Sequence, residues 1–309
     1  MLVYVVRRIL RLVAVMLTVY TLVFLVAHTI PGGPFEEGDL PIEASALANL
    51  RKHYRLDQPL WRQYVDSLWA IVRHGDLGPS YMSANRSVND ILADYVPVSL
   101  SLGLVAMGLA VALGIPIGLL AAIRRHSPVD RAALLFAVLG VSVPNFVLTP
   151  ILIVGLSVWL RWLPPGGWAG IWSPRVIIPA VALAVAPAAG LAGYTRSAML
   201  DVLGADYVRT ARAKGVSPVG VIARHAFRNA LIPVLTIAGL YLARVVTGSF
   251  FVETIAAVPG IGRYFVTSIS TRDYPVMLGT TLLLAFVVAS VNLIVDLLYA
   301  AVDPRIRYR

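Results

Sequence analysis

Six apolar runs, five of them free of Asp, Glu, Lys and Arg, constrain this chain more than any other feature. They cover Leu12–Phe35, Tyr95–Ile123, Ala132–Leu160, Val176–Thr195, Asn229–Val252 (interrupted once, by Arg244) and Tyr274–Val295. A helix needs about 20 mostly apolar residues to cross a bilayer, and each run reaches that length. The composition agrees: 58% of residues are hydrophobic and only 14% charged, with a mean hydropathy of +0.78. A water-soluble globule of this size does not need that much apolar surface. The expectation is an all-α polytopic membrane protein with six transmembrane helices, which puts both termini on one side. Residues Met1–Arg11 look like the start of a signal peptide, but the apolar run outlasts signal length and no small-residue cleavage site follows. They are read as part of a retained first span.

The net charge of +10 is almost all arginine. A basic chain can point to nucleic acid, but here the charge sits in short loops between spans, so it orients the protein in the membrane instead. One set of flanks holds Arg7, Arg8 and Arg11, then Arg124, Arg125 and Arg131, then six cations within 196–228, then Arg305, Arg307 and Arg309; the opposite set holds ten, six of them in the long 36–94 segment. The richer set belongs inside, so both termini and the 196–229 loop are expected to be cytoplasmic. Trp159, Trp162, Trp168 and Trp172 then fall at the outer interface as an aromatic belt. This division gives an N-terminal transmembrane helix over 1–35, an extracytoplasmic segment over 36–94 read as short helices, and a core of five helices over 95–309.

The 196–229 interval is far longer than a turn between two membrane helices requires. Leu203, Tyr207 and Ala211 recur at helical spacing, with Arg209, Arg212 and Lys214 around the rest. Gly215 stands where a helix ends in a left-handed residue, one position after a cation. Ser217-Pro218 restarts a helix, with Ser as N-cap and Pro at the first helical position. A helix, a break and a second helix on one membrane face suit docking to a soluble partner.

Here the chain resembles a known family. TARAKG at 210–215 followed by RHAFRNALIPVL at 224–235 is similar to the cytoplasmic loop of ABC-importer permeases of the dipeptide and oligopeptide type. The broader family pattern of Glu-Ala-Ala, Gly and Ile-x-Leu-Pro is met in part: Arg209-Thr210-Ala211 stands for the first element, Gly215 is in place, and His225-Ala226-Phe227-Arg228 stands for the last. PGGP at 31–34, LDQPLWRQY at 56–64, GDLGPS at 75–80, VETIAAVPGIG at 252–262, RDY at 272–274 and NLIVDLLYAAVDPRIRY at 292–308 extend the likeness over nearly the whole chain.

The resemblance implies a type I ABC-importer permease fold with cytoplasmic termini. It implies one transmembrane subunit of a peptide importer, working with a second homologous permease, two ATPase subunits and an extracytoplasmic peptide-binding protein. It also implies that residues 203–215 are the coupling helix, with Asp206, Tyr207, Arg209, Thr210, Ala211, Arg212, Ala213, Lys214 and Gly215 as the docking element. ATP and Mg would belong to the ATPase subunits, this chain binding no cofactor or metal. The same architecture serves importers of nickel chelates, glutathione or oligosaccharides. A channel or secondary transporter working alone is the rival from another class, and it needs ionisable relays at mid-membrane.

Arg244 is the one cation inside an apolar run, where a charge is costly and marks a pathway or a partner. Two readings stand for it: a gate or carboxylate-binding group facing a cavity or second subunit, or an arginine bonded to helix carbonyls at a buried interface. Asp296 lies at a depth about 13 Å different, at 1.5 Å per helical residue, so the two are not expected to pair. His28 is expected near the membrane surface. Prolines 116, 144, 150, 179, 187 and 233 kink the spans, while Gly103, Gly108, Gly114 and Gly118 allow helices to approach closely. No phosphate loop of the form GxxxxGK[ST] occurs, nor do HExxH or GxSxG. A catalytic role for this chain, intramembrane hydrolysis included, therefore has no visible residues to carry it.

Overall fold

The computed structural model describes residues 2–29, 32–35, 44–83, 85–247 and 250–302. Pro31, Arg305, Arg307 and Arg309 lie outside the described residues, as does the side chain of Asp296. Among the described residues the chain is helical, and it divides into two compact units. Four helices are long and apolar enough to cross a membrane, or up to six when each of two bent pairs is taken as one span.

The first unit is Met1–Val98 with Gly260–Val287. It contains α1 (Leu2–Thr29), α2 (Ala44–His53), α3 (Leu60–His74), the start of α4 (Val88–Ile123), α12 (Gly262–Ser270) and the start of α13 (Tyr274–Val302). Helix α1 thus starts before the charge-free run 12–35, within the expected 1–35 segment, because the arginines at 7, 8 and 11 are good helix formers. Tyr20 and Phe24 of α1 pack with Leu278 and Leu282 of α13, and Tyr64, Leu68 and Ile71 of α3 close over them. Asp273, buried just before α13, anchors the 80–83 turn. It accepts from the Ser80 hydroxyl at 2.5 Å and from the N–H groups of Tyr81 and Met82 at 3.1 and 3.2 Å. Burial, and then the neighbouring Asp273 charge, pushes the Tyr81 phenol well above its ordinary range, so it stays neutral.

The second unit is Ser99–Pro259 with Val288–Arg309. It is built around α7 (Ile177–Leu203), whose interior stretch Pro187-Ala188-Ala189-Gly190-Leu191-Ala192 is buried throughout. Small residues make this helix central, since a side chain of any size would hold its neighbours off. A Cβ on Gly114 of α4 would sit 2.5 Å from the Ala188 carbonyl, and one on Gly118 would sit 2.7 Å from Thr195 Cβ. Gly140 of α5 (Pro128–Ser142) lies against Ala189, and Gly190 lies against Tyr241 of α10 (Arg228–Thr247). Gly108, expected to serve the same purpose, has open space around it.

Two expected spans are bent. α5 and α6 (Asn145–Leu152, continued by a π-helical stretch Ile153–Trp159) meet at 104°. Pro144 explains the corner: it pushes Val143 to φ −89°, ψ 116°, outside the helical region. The next break, 48°, lies between Leu231 and Pro233, where proline lacks the N–H that the preceding turn needs.

Candidate functional site

The polar interval between α7 and α10 folds into a defined projection. After Leu203 the chain turns at Gly204-Ala205, where the Ala205 N–H reaches the Val202 carbonyl at 3.0 Å. Helix α8 (Asp206–Ala213) then begins, with Asp206 in its first turn, where a carboxylate meets the positive end of the helix dipole. It ends at Lys214, and Gly215 takes φ +79°. The Gly215 and Val216 N–H groups close back on Arg212 and Ala211 at 3.0 and 3.2 Å. Ser217 caps the following turn, α9 (Pro218–Gly220), accepting from the Gly220 N–H at 3.3 Å with Pro218 at the first position. A π-helical stretch, Val221–Phe227, leads into α10.

Helix α8 is held from below. Val208 and Ala211 are buried against Val221, with Val202 and Val216 packed beside them. A second layer, Ala122, Met199, Ala226 and Ala230, joins the ends of α4, α7 and α10 beneath the projection. The Asn229 amide donates to the Tyr207 hydroxyl at 3.1 Å and to the His225 carbonyl at 2.9 Å, tying α8 to the helix that follows.

The inward face is therefore Val208 and Ala211, not the expected Leu203, Tyr207 and Ala211. The break at Gly204-Ala205 resets the helical phase, which leaves Leu203 on α7 and Tyr207 half exposed. Of the nine residues singled out in sequence, Ala211 faces inward, while Asp206, Tyr207, Arg209, Thr210, Arg212, Ala213, Lys214 and Gly215 face out. Arg209 sits 3.6 Å from Asp206 with both side chains largely in solvent, so the pair adds little stability and leaves the cations available to another surface.

Sequence reasoning missed the pair that braces this region. Arg196, two turns before the end of α7, reaches Asp130 in the first turn of α5. Asp130 is 3% exposed at its side chain and also accepts from the His126 N–H at 2.9 Å. Ser127-Pro128-Val129-Asp130 carries a helix-start signal that reveals the local cap, but nothing in sequence pairs it with a residue 66 positions away. Glu253, inside the 252–262 run, was also passed over and is fully buried. Arg244 lies exposed on α10. The His28 ring lies tilted against those of Phe24 and Tyr274, its Nδ1 2.8 Å from the Phe24 carbonyl.

Residues 114–308 match the family described as binding-protein-dependent transport system inner membrane component, and residues 1–103 match the N-terminal region of such membrane components. The chain belongs to that family. Among the family's curated members, the dipeptide transport system permease protein DppB of Bacillus subtilis is 45% identical over 98% of this chain and 97% of its own length. The oligopeptide transport system permease protein OppB of Escherichia coli K12 is 40% identical over the full length of both chains, and that of Haemophilus influenzae 39%. Solved structures carry the fold: one of the MetNI methionine ABC transporter in an inward-facing conformation has a TM-score of 0.57 at 21% identity, covering 72% of this chain and 100% of that one. An amino acid ABC transporter has a TM-score of 0.56 at 16% identity, covering 69% and 94%. As a family member with helices of membrane-spanning length, the chain is a multi-pass inner-membrane protein with the fold of ABC-importer permeases.

Proposed function

We propose that the chain is a transmembrane permease subunit of an ATP-driven importer of dipeptides or oligopeptides. Full-length identity of 39–45% to dipeptide and oligopeptide permeases is the observation that carries this reading. In it the chain pairs with a second permease, receives cargo from an extracytoplasmic binding protein, and takes its driving force from two separate ATPase subunits that bind ATP and Mg. Both termini and α8 face the cytoplasm.

Helix α8 is the coupling element. Its eight residues span about 12 Å at 1.5 Å each, a short rigid rod with Arg209, Arg212 and Lys214 turned outward to meet acidic groups at the edge of an ATPase groove. Its inner side is packed on Val202 at the end of α7 and on Val221 of the stretch that leads into α10, so a push on α8 is delivered to the membrane helices rather than absorbed by a loose loop. Arg244 is assigned to the translocation pathway or the permease–permease contact, where it holds a gate or a peptide carboxylate.

The test is reconstitution of the assembled transporter in liposomes. Peptide uptake that requires ATP, the ATPase subunits and the binding protein together supports the proposal. Uptake by this chain without ATP, or uptake confined to nickel chelates, glutathione or oligosaccharides, defeats it. The chain has no cysteine, so Arg209→Cys labelled by a membrane-impermeant maleimide in intact cells tests the sidedness: labelling from outside overturns it.

A further inference from the structure

We propose that α3 is a membrane-embedded helix, lying in the leaflet that holds the C-terminal half of α1 with its tryptophan stripe against lipid. The inference needs only that α1 crosses the bilayer, and it goes beyond the extracytoplasmic character expected for the 36–94 segment.

The argument starts from depth. The uncharged part of α1, Leu12–Thr29, is eighteen residues, about 27 Å at 1.5 Å each, and the hydrocarbon core is about 30 Å thick. Even when the span is taken from Val6 to Thr29, twenty-four residues or about 36 Å, only about 6 Å of it can stand above a core of about 30 Å. Tyr20 lies nine residues before Thr29, about 13 Å below that end. Yet α3 packs on this level: the Tyr20 hydroxyl donates to the Tyr64 carbonyl at 2.9 Å and contacts Ser67, and Thr21 meets the Tyr64 hydroxyl at 2.8 Å. The Tyr64 ring lies 5.1 and 5.3 Å from those of Tyr20 and Phe24. A helix bonded sideways to α1 at that depth shares the depth.

The surface of α3 fits the placement. None of its residues is buried in this chain. Tyr64, Leu68 and Ile71 pack inward. Beside them Trp61, Val65, Trp69 and Val72 form a stripe, each between 51% and 73% exposed, in the size and polarity of a side that meets acyl chains. Leu22, Leu25 and Val26 in the C-terminal half of α1 are exposed in the same way. The opposite flank is polar. Gln63, Asp66 and Ser67 line a cavity of about 400 Å³ whose other walls include His53, Arg55 and Asp76, and this gives Asp66 water rather than lipid. Arg73 lies over the Trp69 ring, 5.6 Å from its centre, as a cation does when its stem follows an apolar surface toward water. Trp at such a boundary is the ordinary membrane-interface arrangement.

The absence of native cysteine makes the test direct. Val65→Cys, Trp69→Cys and Val72→Cys are labelled with bimane in the assembled transporter, in nanodiscs containing acyl-chain doxyl phosphatidylcholine. Leu25→Cys on α1 is the lipid reference, and Arg62→Cys and Arg73→Cys report the polar flank. The expected result is lipid quenching at 65, 69 and 72 equal to that at 25, with aqueous iodide effective only at 62 and 73. Iodide quenching at the stripe equal to that at 62 and 73 overturns the proposal, and so does shielding of the stripe from both reagents, which means that protein covers it. Should the cysteine variants fail to assemble, replacing Trp159, Trp162, Trp168 and Trp172 by Phe leaves Trp61 and Trp69 as reporters. Strong quenching of these two by brominated lipid sustains the inference and its absence defeats it.

Discussion

Arg196 grips Asp130 through two donors, its Nε 2.5 Å from Oδ1 and its Nη2 3.0 Å from Oδ2. The pair joins the end of α7 to the beginning of α5, close to where α7 hands over to α8. Oδ2 of Asp130 is shared with the His126 N–H, whose residue sits at φ +66°, so one carboxylate both holds the tight turn before α5 and anchors α7. Breaking a buried ion pair from one side leaves the other charge stranded, which is the costly direction. Arg196→Leu and Asp130→Ala are each expected to lower the thermal stability of the purified transporter. A double-mutant cycle should return a coupling of about 1–3 kcal/mol, as groups in one network do. Exchanging the two residues should not restore the wild type, because an arginine at 130 cannot accept from His126. A coupling near zero would mean that the pair holds nothing.

Gly215 separates backbone strain from crowding. A Cβ there meets nothing within 4 Å, so substitution acts through φ +79° alone. The left-handed conformation costs a residue with a branched side chain about 1–2 kcal/mol, and Asn tolerates it better. Gly215→Val should therefore reduce ATP-driven uptake while leaving membrane insertion intact, and Gly215→Asn should retain most of it. Equal loss in both variants would point to contact with the ATPase subunit rather than to the turn.

Helix α8 has an inner and an outer face that fail differently. Val208 is fully buried, and Val208→Asp places a charge where no partner waits, at a cost of about 3 kcal/mol or more. The expected outcome is detachment of α8 and a lower melting temperature of the isolated chain. Arg209 is largely in solvent, so Arg209→Glu should leave that temperature unchanged. Its effect should fall on association with the ATPase subunits, measured by co-purification at low salt. If Arg209→Glu and Arg212→Glu together leave the complex intact, the basic face is not the docking contact.

Much of this molecule is legible from its residues because the membrane removes alternatives: a charge-free run of bilayer length must be a helix, and Gly215 with Ser217-Pro218 spells its own break and restart. What escaped detection depends on pairings across the chain. The inward face of α8 was misplaced by one position because Gly204-Ala205 interrupts the helix, and periodicity cannot see a phase reset. The third run carries Pro144, which turns it by 104°; a proline in an apolar run announces a kink but not its angle. Asp130 and Arg196 each sit at the edge of a span, where a charge is unremarkable alone. The polar side of α3 similarly concealed its stripe, since Arg62, Asp66 and Arg73 mark the segment as aqueous until Tyr64 is seen against Tyr20.

The glycines of α4 give a prediction in which sequence cannot distinguish residues that the structure does. Gly108, Gly114 and Gly118 look alike as small residues in one apolar helix. Only the latter two touch α7: a Cβ on Gly114 would come within 2.9 Å of Leu191 Cβ, and one on Gly118 within 3.0 Å of the Arg196 backbone nitrogen. The atoms in the way include backbone, which cannot rotate aside, so the helices must separate. Overpacking of this kind costs about 1–3 kcal/mol. Gly114→Ala and Gly118→Ala should each lower the melting temperature of the purified protein, whereas Gly108→Ala should be neutral or slightly stabilising, since alanine is the better helix former. The Gly118 variant should also weaken ATP-driven uptake more than the Gly114 variant, because the α7 segment it displaces carries Arg196 and, through it, the brace to Asp130. Equal uptake in the two variants would separate the brace from coupling and leave it a purely structural contact.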